Sequence, residues 1–151
     1  MPNSVYRGPV DRQYQTVTDR ACAGAYLPCT AVFIGAALTQ ATSASGGRLA
    51  LLGVLDFYAS PSDYFNLNDP RRTAYASAET GVAHVLEPGQ VYQWAVAAGS
   101  YTRGQELPVG AAGRLTAASA GQVVVAHFEE PSATKSAGDL CDVAIANAYT
   151  K

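Results

Sequence analysis

The side chains able to do chemistry in this chain are few and scattered. His84 and His127 are its only imidazole bases, and a serine, threonine or cysteine nucleophile would need one of them beside it. No Gly-x-Ser-x-Gly elbow accompanies them. Each lies inside an apolar run with the texture of a strand, Gly81-Val82-Ala83-His84-Val85 and Val125-Ala126-His127-Phe128. A solvent-facing or hydrogen-bonded structural role fits those runs better than catalysis. Glu129 and Glu130 are adjacent, so on a strand their carboxylates point to opposite faces and cannot flank one glycosidic bond. The run Asp63-Tyr64-Phe65-Asn66-Leu67-Asn68-Asp69 gathers oxygen atoms but lacks the glycine and the distal acid of a calcium-binding loop, and reads as asparagine-rich turn chemistry. Lys135 and Lys151 are the only lysines, and neither stands in a phosphate-binding loop. The expectation is a protein that is not an enzyme and uses no cofactor or metal.

Cys22, Cys29 and Cys141 are an odd set with no C-x-x-C pair and no histidine at zinc-site spacing. They read as small buried apolar side chains in a reducing cytoplasm, with a Cys22–Cys29 bridge as the alternative. Hydrophobic residues make up 48% of the 151 positions and charged residues only 15%, which leaves part of the surface to be covered by a partner. The net charge of −2 supplies no pull toward nucleic acid or anionic lipid. The N-terminus has no apolar core of the signal-peptide kind, and the longest apolar run, Leu49 to Leu55, is too short to span a bilayer. Neither nucleic acid nor membrane is an expected partner.

The elements that must position these residues are short strands. Tyr92, Trp94 and Val96 alternate onto one face of their segment, as do Cys141, Val143 and Ile145. Leu49-Ala50-Leu51-Leu52 and Val123-Val124-Val125-Ala126 are continuous, which suits strands covered on both sides. Turn signals separate them at Gly46-Gly47, Glu87-Pro88-Gly89, Ala120-Gly121 and Gly138-Asp139. The fold class is therefore mostly β, a compact barrel or sandwich-like domain of short strands with little helix, one or two turns at most within Asp69 to Ala78. Residues 1–20 are too polar to fold alone and read as an extended N-terminal arm; residues 21–151 form the single β domain. Residues 27–55 and 107–128 repeat a strand, tight turn, short strand, turn, strand order, a weak duplication of hairpin units.

The stretch from Gly104 to Ile145 resembles a pattern of tailed-bacteriophage head decoration, or cement, proteins. It carries Gly104, Leu107, Pro108, Gly110, Gly113, Arg114, Leu115 and Ala118, then the strand Val123–Ala126, then Gly138, Asp139, Leu140 and Val143. The resemblance covers under a third of the chain and implies a compact β-barrel-like protein on the capsid exterior of the virion, made in the host bacterial cytoplasm. It implies binding to the major capsid protein at symmetry points, as a homo-oligomer with trimers ahead of dimers. The segment 57–77 departs from the pattern as an insertion. A tail or head-completion protein, or a carbohydrate-binding module of a phage, are the competing readings.

Interface candidates follow from the nine tyrosines, several of them in the segments least like a core, and from the arginines beside them. They are Tyr6, Arg7, Arg12 and Tyr14 in the arm, expected to lie along a neighbouring subunit. In the insertion, Phe57, Tyr58, Tyr64 and Phe65 form a knob on a neighbour or a lid on the chain's own core, with Arg71 and Arg72 at its rim. Deleting residues 1–20 is expected to leave the β domain folded but weaken attachment.

Overall fold

A computed structural model describes residues 5–9, 15–54 and 70–151. Among the described residues, twelve strands run in chain order: β1 Tyr6–Gly8, β2 Thr16–Ala21, β3 Ala31–Ile34, β4 Leu38–Gln40, β5 Arg48–Leu52, β6 Thr80–Val85, β7 Val91–Ala95, β8 Gly99–Tyr101, β9 Glu106–Pro108, β10 Val123–Phe128, β11 Ala133–Lys135 and β12 Leu140–Thr150. The helical content among the described residues is two single 3-10 turns, Pro70–Arg72 and Ala111–Gly113. The protein is mostly β, as its turn spacing implies.

Two five-stranded antiparallel sheets carry the fold, in the orders β1-β7-β12-β10-β9 and β2-β6-β5-β3-β4, and β8 pairs β11 in a small ribbon. The second sheet curls strongly. The chain just past β2 reaches β4, where Cys22 bridges Leu38 in parallel and the Ala23 N–H donates to the Leu38 carbonyl at 2.8 Å. Arg20 Nε donates to the Gly35 carbonyl at 3.1 Å and holds the same junction. Curling gives that sheet an inside and an outside, and period-2 alternation fills both. Val32, Ala50 and Leu52 join Cys22, Leu38, Tyr75 and Ala83 in an inner core, while Ala31 and Leu51 face the other way into a larger core shared with the first sheet. The continuous run Leu49–Leu52 is thus apolar at every position because both faces of β5 are covered. Tyr92, Trp94, Val96, Cys141, Val143 and Ile145 all lie in the larger core, on the faces their alternation assigns.

Trp94 is fully buried and its indole N–H donates to the Gly113 carbonyl at 2.9 Å. The Ala95 N–H donates to Cys29 O at 2.8 Å and its carbonyl accepts from the Leu115 N–H at 2.9 Å, so β7 is tied to loops from both halves of the chain.

Two expectations are corrected. Residues 1–20 are not a free arm where they are described: β1 pairs β7 with Tyr6 opposite Tyr92, Val5 is buried, and β2 pairs β6. An unfilled edge on each sheet within the chain gives these segments backbone partners that their polarity alone would not. The two hairpin units also diverge. Residues 27–55 build β3, β4 and β5, but in 107–128 no strand stands between β9 and β10; Ala112 at φ 56° and Gly113 at φ 67° turn the backbone instead, and Leu115 bridges Val96 and Val109. The cysteines answer to their reading as small buried side chains: Cys22, Cys29 and Cys141 are all buried thiols, Cys22 in the inner core and Cys29 in the outer one.

Candidate functional site

A cleft of about 270 Å³ opens beside the junction of the two sheets, between the Pro70–Arg72 turn, the loop at Leu27–Thr30 and the turn that leads into β12. Arg71, Arg72 and Arg114 line it with Asp139, against a wall that includes Leu27, Pro28 and Leu140. The guanidinium groups arrive from two local devices. Pro70 sets φ for the 3-10 turn that presents Arg71 and Arg72. Arg114 follows the positive-φ turn at Gly113 and returns to extended backbone at φ −85°, ψ 150°. Arg71 donates to Gln93 Oε1 on β7. Asp139 Oδ2 accepts from the Ser136 N–H at 2.8 Å, a local turn bond.

A second polar group lies on the exposed face of the first sheet. Glu106 and His127 are cross-strand neighbours on β9 and β10. The Tyr149 hydroxyl donates to Glu106 Oε1 at 2.6 Å and lies 3.3 Å from His127 Nε2, the two rings stacking with centroids 6.3 Å apart. Lys151 Nζ sits 2.8 Å from Glu106 Oε2 and also donates to the Ala118 carbonyl. The lysine and then the tyrosine hold the Glu106 carboxyl below its ordinary range, while the same carboxylate pushes the Tyr149 phenol up. A tyrosine held protonated beside an ionised, lysine-paired glutamate is poised neither as nucleophile nor as base. The group clips β9, β10 and β12 together from outside.

The buried thiols are likewise inert in character. Burial, followed by Glu130, pushes Cys141 up to about 12, and its Sγ lies 3.5 Å from the Trp94 carbonyl. Burial and then Glu79 raise Cys22. His84 is buried against the Tyr92 ring, with centroids 5.6 Å apart, whereas His127 is on the solvent face. Among the described residues, no three His, Cys, Asp or Glu side chains gather as a metal site would require, and no helix is long and apolar enough to cross a membrane.

Of the residues picked from sequence, Tyr6 and Arg7 are engaged within the chain. The Tyr6 ring meets Tyr92 edge-on at 5.2 Å and its hydroxyl donates to the Pro9 carbonyl, while Arg7 Nε lies 3.4 Å from Asp142 Oδ1. Arg71 and Arg72 stand together in the cleft. Arg12, Tyr14, Phe57, Tyr58, Tyr64 and Phe65 lie outside the described residues, as does most of the 57–77 insertion. Sequence reasoning placed Arg114 only in a pattern and not in a site; a basic residue just after a Gly-rich turn was its one signal. The Glu106–Tyr149 pairing spans residues too far apart for any local pattern to join them. No protein-family model matches the chain, and no curated protein matches it either.

Proposed function

We propose that this chain is a structural protein of a tailed-bacteriophage head, a decoration protein that binds the outer surface of the capsid and stabilises it by bridging major capsid subunits. The supporting observation is how the residues of the decoration-protein pattern are used. Gly104, Gly113 and Gly138 adopt φ of 81°, 67° and 89° at turns, Leu107, Leu115 and Val143 are fully buried, and the Gly113 carbonyl receives the Trp94 indole. The pattern is a framework that fixes two sheets against each other, which is what a particle component needs and what a catalytic motif does not resemble. A chain with 15% charged residues also has surface to spare for a neighbour. Closed symmetric self-association, trimers ahead of dimers, is the arrangement that suits symmetry points of a shell.

Copy number tests the reading. Quantitative mass spectrometry of purified virions is expected to find on the order of hundreds of copies per particle, located on the head, as a shell with many equivalent sites requires. A small ring number, or location on the tail, would overturn it.

A further inference from the structure

Among the described residues the cleft brings Arg72 and Arg114 to one concavity, with Asp139 as the carboxylate on its lining, in a chain whose net charge is −2. Arg71, beside them, is engaged by the Gln93 amide oxygen on β7. Arg72 and Arg114 have no ion pair and no side-chain hydrogen bond among the described residues, although five donors each are available to them. Like charges gathered in a concavity raise the local potential and favour an anionic occupant.

The surroundings narrow the kind of anion. Phosphate sites usually present a concave set of backbone N–H groups. Here the turn beside the arginines turns two of its amides inward, Gly138 N–H to the Val96 carbonyl at 2.9 Å and Asp139 N–H to the Ser136 carbonyl at 3.1 Å. What the cleft offers is planar forks, which match carboxylates two bonds at a time, next to an apolar wall. Leu27 on that wall is 40% exposed, one of the few large apolar side chains left open to solvent.

We propose that the cleft is a binding site for an acidic polypeptide segment, whose carboxylates pair with Arg72 and Arg114 while its aliphatic groups cover Leu27 and Pro28. The site goes beyond the capsid reading and does not depend on it, because the recognition is local and can be measured without any particle.

The test uses the full chain at low ionic strength and fluorescence anisotropy of a labelled peptide carrying two Glu-Leu pairs. Binding is expected, with R72Q and R114Q each weakening it about tenfold, the usual scale for losing a charge-assisted contact. R48Q removes the same charge at the start of β5, outside the cleft, and is expected to leave affinity within about twofold, since a remote surface charge acts weakly. R114K retains charge and fold but not the fork, and is expected to bind at an intermediate level. No binding by the unmodified chain, equal losses in R48Q and R114Q, or displacement of the peptide by inorganic phosphate at equal concentration would each overturn the proposal. Copy number on virions is read separately, so failure here and failure of the capsid reading are distinguishable.

Discussion

At Gly113 the backbone takes φ of +67° and passes so near β3 that an added Cβ would stand 2.6 Å from both the N and the O of Ala31 and 2.5 Å from Gln40 Nε2. Two of those three atoms are backbone and cannot swing away. The same residue accepts the Trp94 indole N–H, so any shift of the turn also frees a buried donor. Gly113→Ala is therefore expected to cost on the order of 3 kcal/mol or more, from left-handed backbone strain together with overpacking. Urea unfolding with an unchanged midpoint would show that the two sheets can part without cost at this point. The glycine was visible in the sequence as part of a turn, but the close approach was not, because Ala31 lies far from it along the chain. The same is true of Glu106 with Tyr149 and Lys151: residue type marks a group as polar, and only the sheet order names its partner.

Strands tell a more legible story than side-chain groups do. The alternation of Tyr92, Trp94 and Val96 and of Cys141, Val143 and Ile145 marks the buried faces, since side-chain direction repeats every second residue whatever the neighbouring strand is. The unbroken run at β5 carried its meaning too, one face for each core. Polarity alone makes the N-terminal segment look like an arm, because it takes no account of the sheet edges at β7 and β6 that receive it. This changes what a truncation should do. Removing residues 1–20 takes away β1 with Val5 and nearly all of β2, the strand whose end meets β4. The expected outcome is loss of a cooperative unfolding transition, and the milder removal of residues 1–8 should lower stability by about 2 kcal/mol or more through lost burial of Val5 and part of Tyr6. An undisturbed transition in calorimetry after the longer deletion would restore the reading of residues 1–20 as an extended arm outside the folded β domain.

Because β5 and β3 supply residues to both cores, the two cores are expected to melt together. Trp94 is the only tryptophan and is fully buried in the outer core, which makes its fluorescence a local reporter. Thermal unfolding followed by tryptophan emission and by far-ultraviolet circular dichroism is expected to give one midpoint; two separate midpoints would mean that the sheets are independent units. The order of strands has a further consequence for how the molecule is made. All strands of the curled sheet are complete in the chain by Val85 and emerge together well before the end of β12, whereas the first sheet has its last strand, β12, in the middle between β7 and β10. During synthesis the curled sheet can close early, but the wall opposite Ala31 and Leu51 has no centre until β12 is delivered. The nascent chain thus carries an uncovered apolar flank through the making of β7 to β11, and that interval is when a chaperone, or a second nascent copy, has its opening.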